Sequence, residues 1–259
     1  MLIRNLKRHL VISFIILFSS VINGFSSELA IDNFIFMTET YPPFNYEDGG
    51  KLQGISVDLF EKMLEKIGSA KTRENIELLP WARAYKDVLT KQDTCLFAMT
   101  RTEEREALFK WVGPFAPSRI VLIAPKYKRI TINSINDVTK YIVGVVRDDI
   151  GEQLLVQAGI TKGILSIVHN QNINANKIDA GRIDLWTCGD IISKWILKEN
   201  GYDPAAYESV YVLKDGSQYF AFNISTDDAL IHKLQTALDE IKAEGELQTI
   251  MDHYLKLQP

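Results

Sequence analysis

The segment Ala98-Met-Thr-Arg-Thr-Glu-Glu-Arg105 sets two arginines around an expected helix start, and no other stretch concentrates as much capacity for chemistry. With Thr102 as N-cap, Arg105 falls in the first turn, where the helix dipole and the free backbone N–H groups already present positive charge. A cation there is locally unfavourable, and two readings resolve it. Glu103 and Glu104 can simply pair with Arg105. Alternatively the arginines Arg101 and Arg105, the dipole and the Thr100 hydroxyl converge on an anion, because a guanidinium fork grips a carboxylate through two parallel hydrogen bonds.

Residue patterns for catalysis are missing. His9, His169, His232 and His253 are isolated, and none has a second histidine or cysteine at metal-ligand spacing. There is no G-x-S-x-G elbow and no glycine loop for phosphate. The adjacent acids Glu103-Glu104 and Asp148-Asp149 sit at helix starts, where capping accounts for them. Binding without turnover is therefore expected, with no metal or cofactor. A dehydratase-type enzyme stays open as an alternative, with Asp148, Asp149 or Asp190 as its general acid or base.

These residues need a frame, and short apolar runs alternating with amphipathic segments describe an α/β protein. Strands are expected at Asn33 to Thr38, Ile76 to Leu79, Cys95 to Met99, Ile120 to Ala124, Tyr141 to Val146, Ile183 to Thr187 and Tyr219 to Asn223. Between them, helices are expected from a Ser56 cap to Gly68, over Ala82 to Leu89, near Ile135 to Val138, and after the capping box Asp149-Ile-Gly-Glu152. Further helices follow at Ile173 to Ala180, Ile191 to Asn200 and Asp227 to Lys242, with a final apolar stripe to Tyr254. The prolines and glycines of Thr40 to Gly50 and of Gly113 to Arg119 are read as breaks in regular structure. Lys126 to Arg129 is read as solvated surface. Cys95 and Cys188 are either bridged or packed as small hydrophobes.

The N-terminus carries Arg4, Lys7 and Arg8 and then 13 apolar-rich residues from Leu10 to Ile22. That is the layout of a secretory signal peptide, too short to span a bilayer comfortably. Cleavage is expected after Ser26, which makes residues 1-26 the signal and the periplasm the destination; an uncleaved anchor is the other reading. Loss of three basic and no acidic residues moves the formal net charge from −4 to −7. Such an acidic chain is not expected to bind nucleic acid.

Six short motifs follow one another along the mature chain: Tyr41-Pro-Pro-Phe44, Gly54 with Asp58-Leu59, Thr102-Glu-Glu-Arg105, Val143-Gly-Val145, Gly181-Arg-Ile-Asp184 and Tyr219-Phe-Ala-Phe222. In this order they resemble the type II periplasmic solute-binding proteins, specifically the polar amino-acid-binding family of ABC importers. The resemblance implies a two-lobed α/β fold, each lobe a mostly parallel sheet flanked by helices, with a two-stranded hinge. It implies lobe 1 over 27-118 plus 218-259 and lobe 2 over 119-217. It further implies a monomer that hands a small polar ligand to an inner-membrane permease, or that reports to a membrane sensor.

By the same resemblance Arg105 holds the ligand carboxylate, Thr100 assists, Tyr41 stacks on the ligand, and Trp81 lines the cleft or is a core residue. The second lobe departs from the family. Arg147-Asp148-Asp149-Ile150 stands where a glycine and threonines are usual, and Gly189 stands at the position of the ammonium-binding aspartate, with Asp190 next to it. With Arg83, Arg101, Arg105 and Arg147 all candidates for the cleft, a ligand more negative than a neutral amino acid is expected.

Overall fold

The computed structural model describes residues 30–256, so the expected signal peptide and its cleavage site lie outside the described residues. One eight-stranded sheet runs through the molecule in the order β4-β1-β5-β10-β6-β9-β7-β8. Its strands are β1 (Ile35–Thr38), β4 (Ile76–Leu78), β5 (Thr94–Thr100), β6 (Phe109–Pro125), β7 (Val143–Val146), β8 (Leu165–Val168), β9 (Leu185–Gly189) and β10 (Tyr207–Asn223). A hairpin of β2 (Tyr46–Asp48) and β3 (Lys51–Gln53) stands apart from it. The helices are α1 (Ile55–Ile67), α2 (Trp81–Thr90), α3 (Glu103–Glu106), α4 (Ile150–Gln157), α5 (Gln171–Asp179), α6 (Asp190–Glu199), α7 (Asp228–Ala243) and α8 (Glu246–Lys256).

Two parallel triplets, β4-β1-β5 and β9-β7-β8, flank the antiparallel pair β6 and β10. These two long strands pair along their whole length, from Tyr207 opposite Pro125 to Asn223 opposite Phe109. β5 joins β10 only over Gln218 to Phe222, and β9 joins β6 only over Ile120 to Ile123, opposite Gly189 to Trp186. Near Pro117 to Arg119 the two halves of the fold are therefore connected, among the described residues, by two strands alone, a two-stranded hinge. In the first half, Phe60 of α1 packs on the sheet against Phe36, Phe97 and Phe220 at centroid distances of 4.9, 5.1 and 5.0 Å. The second half buries Leu122, Val143, Val145, Leu155 and Leu185 in its own cluster.

Several sequence expectations are corrected. Gly113 to Arg119 does not break β6, because the prolines lie where β6 has only β10 beside it, and a register shift leaves Gly113 to Phe115 opposite Tyr219. Proline is tolerated where a strand has no second ladder to feed. Likewise Gly49 and Gly50, at φ 58 and 78, form the two-residue turn of the β2-β3 hairpin. β8 and the first half of β10 were not anticipated; Asp215-Gly216 resembles a turn but pairs with Arg119 and Ser118.

Cys95 and Cys188 are free and buried. Cys95 faces Phe222 and, through it, Lys110 of β6, whereas Cys188 faces Val121, eleven residues further along that strand. At roughly 3.3 Å per residue they lie tens of ångströms apart, and a bridge needs Cα atoms within about 7 Å.

The segment leading from β1 to α1 is fixed from below. Ser56 is not the cap of α1; Gly54 is, and the Ser56 hydroxyl donates instead to Phe44 O and Asn45 Oδ1, both at 2.8 Å. Asn45 in turn donates to the Glu39 carbonyl at 2.6 Å. Gly54 sits at φ 126, and a Cβ there would lie 2.3 Å from the Phe44 carbonyl oxygen. Gly54→Ala should therefore destabilise the fold by about 2–3 kcal/mol, from backbone strain and the clash together, read as a lower midpoint in urea unfolding with an unchanged slope.

Candidate functional site

The carboxyl ends of the parallel strands from both halves meet in one crevice, the usual place for ligands in open α/β sheets. From the first half β1 delivers Glu39 and Tyr41, β4 leads into Trp81 and Tyr85 on α2, and β5 leads through Thr100 to α3. From the second half β7 leads to Asp148 and Asp149, α4 supplies Gln153, and β9 ends at Gly189. Thr102 caps α3, its hydroxyl accepting from Arg105 N at 3.3 Å. This single turn aims Arg105 inward, where it is only 1% exposed.

The Arg105 guanidinium lies over two aromatic faces, 5.5 Å from the Trp81 ring and 5.2 Å from Tyr85. Its Nη1 donates to the Thr100 carbonyl at 3.1 Å, and its Nε to Gln153 Oε1 of the opposite half, also at 3.1 Å. Its Nη2 is buried without a hydrogen-bond partner among the described residues. Burial lowers the Arg105 pKa below its usual value, while Tyr85 and Asp149 oppose that shift. Buried donors almost always find an acceptor, so Nη2 marks a place for one.

Further contacts close the crevice. Trp81 Nε1 donates across it to the Asp148 carbonyl at 2.9 Å, and Gln153 Nε2 donates to the same oxygen at 2.9 Å. Asp148 turns its carbonyl this way from a left-handed conformation, φ 59, with its N–H held by Glu152 Oε2 at 2.6 Å. On the other side the Tyr41 hydroxyl lies against Gly189, where a Cβ would come within 2.8 Å of it.

Two carboxyls lie within electrostatic range of the guanidinium. Asp149 caps α4 by accepting from Ile150 N at 2.6 Å, and its second oxygen accepts from Gln171 Nε2 at 3.3 Å. Burial raises its pKa against the pull of Arg105. Glu39 is pushed well above the usual carboxylate range, first by burial and then by Asp149, with Arg105 opposing. No donor among the described residues bonds the Glu39 carboxylate; its hydrogen bond from Asn45 goes to the main chain.

The structure thus gathers Arg105, Trp81 and Tyr41 in the crevice, with Thr100 contributing its carbonyl while its hydroxyl bonds Ser118 Oγ at 2.8 Å. Other expected residues lie elsewhere. Arg101 is engaged by Glu106, Nε to Oε2 at 2.6 Å, and lies over Trp111 and Tyr219. Arg83 and Arg147 are exposed. Asp148 takes part through its backbone, its side chain being exposed. Asp190 heads α6, where Lys194 and Ser209 take its carboxylate at 3.3 and 3.1 Å. The second-half carboxylate whose charge acts on Arg105 is therefore Asp149 rather than Asp190, and the expectation of a cleft rich in arginine is corrected: of the four arginines expected there only Arg105 is buried.

Sequence reasoning passed over Glu39, Tyr85 and Gln153 and assigned Asp149 to capping. Glu39 carried a usable signal, since it directly follows a strand in an α/β pattern, and Tyr85 lies one turn beyond Trp81 on the same helix face. Gln153 carried none.

The raised Glu39 pKa has a definite stability consequence. A carboxyl held above its unfolded value favours folding when protonated, and that contribution is lost as pH rises through the folded-state pKa. Glu39→Gln should therefore raise the thermal midpoint of the ligand-free protein at pH 8, and raise it by less at pH 5. A fluorimetric melt at both values checks this, and a lower midpoint at pH 8 would contradict it.

The sequence model of bacterial extracellular solute-binding proteins, family 3, matches residues 34–257. The chain is 25% identical over 245 residues to the probable amino-acid-binding protein YxeM of Bacillus subtilis (strain 168), covering 90% of this chain and 88% of that one. It is 24% identical over 262 residues to the putative ABC transporter arginine-binding protein 2 of Escherichia coli (strain K12), covering 93% and 98%. Among solved structures, an ancestral arginine-binding protein bound to arginine superposes with a TM-score of 0.72 at 21% identity, over 85% of this chain and 97% of that one. A family match across most of the described residues, on a fold whose halves meet around a buried arginine, shows that the chain belongs to family 3 of the bacterial extracellular solute-binding proteins.

Proposed function

We propose that the mature chain, freed of residues 1-26, captures a small amino-acid-like ligand in the periplasm and delivers it as a monomer to the permease of an ABC importer, without transforming it. The observation that carries this reading is Arg105 Nη2, a buried guanidinium N–H with no acceptor among the described residues, on a side chain that also bonds Gln153 of the opposite half. A ligand carboxylate supplies that acceptor, and the aromatic faces of Trp81 and Tyr85 keep the guanidinium in place. The names borne by the relatives, amino-acid-binding and ABC transporter arginine-binding, support the same assignment.

In this reading lobe 1 comprises 27-118 plus 218-259 and lobe 2 comprises 119-217, and they swing apart about the β6-β10 hinge. Opening breaks the Arg105–Gln153 and Trp81–Asp148 hydrogen bonds, and a bound ligand favours the closed state by bridging the same two faces. A protein that reports its ligand to a membrane sensor would use the same closure; growth of a deletion strain on the ligand as sole nitrogen source separates import from reporting.

Calorimetry with a panel of amino acids tests the reading. Arg105→Ala should abolish heat of binding for whichever ligand responds, and Arg105→Lys should weaken it at least about thirtyfold, because lysine keeps the charge but loses the fork. Unchanged affinity in either variant would sink the assignment of Arg105.

A further inference from the structure

Away from Arg105 the two halves also meet along an apolar seam. Tyr41, Phe44 and Tyr46 of the first half share one buried cluster with Ile192 and Trp195 of the second. The seam starts at Gly189, where an added Cβ would come within 2.8 Å of the Tyr41 hydroxyl and closer still to Ile192 Cδ1. It ends where the Tyr46 ring of β2 lies against Trp195 of α6, with ring centroids 5.6 Å apart and planes inclined at 53°. Both rings are nearly sealed from solvent, Tyr46 at 8% and Trp195 at 7% exposure.

Helical spacing accounts for the α6 side, because Ile192 and Trp195 are three residues apart and share a face. The Tyr46 side is braced by its own half. Tyr254 of α8 stands edge-on to Tyr46 at 6.5 Å, and its hydroxyl donates to Asp58 Oδ2 of α1 at 2.7 Å. Arg73 ties the returning strand β3 to the same helix, donating to the Leu52 carbonyl at 3.5 Å and pairing with Asp58 Oδ1 at 3.0 Å. The hairpin takes no part in the main sheet and acts as a strap from one half resting on α6 of the other.

The seam and the hydrogen bonds of the crevice respond differently to opening. The groups joined in Arg105–Gln153 and Trp81–Asp148 exchange each other for water when the halves part, so these bonds weigh little in the balance. Aromatic faces have no such exchange, and a buried aromatic side chain keeps on the order of 150–250 Å² from water. One group opposes closure: Trp195 Nε1 is buried with no acceptor among the described residues and gains water on opening. A single N–H against two ring surfaces leaves closure favoured.

We infer that Tyr46 and Trp195 form an aromatic latch that holds the two halves together before any solute binds. The resting protein is then mostly closed, and a solute enters through a minor open state without having to supply the whole free energy of closure. The inference rests on the hinge motion proposed above but on no particular ligand.

Small-angle X-ray scattering of the mature protein, refolded from urea to strip bound solute, tests the latch. The unsubstituted protein should give a radius of gyration of about 18 Å, that of a compact chain of its length. Trp195→Ala and Tyr46→Ala should each raise it by about 0.5–1 Å, the double variant no further than the larger single one, and Tyr46→Phe should stay closed. A cooperative melt shows that a variant is folded. If Trp195→Ala fails that check, Tyr46→Ala against Tyr46→Phe decides, since Tyr46 lies outside the main sheet. An unsubstituted protein already as extended as the alanine variants, or folded alanine variants as compact as the unsubstituted protein, overturns the latch. Opening by Gln153→Ala as wide as that by the aromatic variants overturns it too, by assigning closure to the crossing hydrogen bonds. Calorimetry on Arg105→Ala reads separately from these outcomes, so the latch can fall while the solute-binding reading stands.

Discussion

A guanidinium removed from water is the constraint around which this crevice is arranged. Arg105 is almost fully buried, and burying an ion costs several kcal/mol unless neighbours compensate. Compensation comes from both halves of the protein at once: the Thr100 carbonyl, Trp81 and Tyr85 from one side, Gln153 and Asp149 from the other. Closure and charge compensation are therefore the same event. The aromatic faces matter because they stabilise the cation without using its hydrogen-bond donors, which leaves Nη2 for a visitor.

The same economy governs how the side chains are held. Asn45 and Ser56 tie the turn after β1 to the start of α1, so the main chain that carries Glu39 and Tyr41 is fixed by buried side-chain hydrogen bonds. Asp148 offers a carbonyl rather than a carboxylate because its left-handed backbone turns the peptide toward Trp81. Precision in the crevice thus comes from backbone geometry at a few turns. At the middle of β6 and β10, which among the described residues are the two strands crossing between the halves, Thr100, Ser118 and Gln218 form a buried polar cluster.

Much of the architecture was legible in the sequence, because alternating periodicities reveal buried strands and amphipathic helices directly. Val143 to Val146 and Cys95 to Met99 read as strands since every side chain there is buried. What failed were elements whose local signal runs against their pairing: β10 before Tyr219 is half-polar and contains Asp-Gly, and β6 contains Pro114 and Pro117 in its interior. For the site, Arg105 was identifiable from its unfavourable position in a helix first turn. Arg101, directly after β5, looked equivalent, and only the folded packing shows that Glu106 and two aromatic rings claim it. Asp149 and Asp190 were likewise indistinguishable as helix-start acids, and the direction each carboxylate takes is decided by Gln171 in one case and by Ser209 in the other.

The strand order has a consequence for biogenesis. β10 stands between β5 and β6, and α7 and α8 pack on α1, so the half of the molecule that begins the chain is completed by the residues that end it. A chain emerging with its N-terminus first cannot finish that half until nearly its whole length is available, whereas the second half is contiguous up to the return strand. Contacts this distant in sequence slow folding. Late assembly of the leading half keeps the nascent polypeptide loose until the return strand β10 has been made.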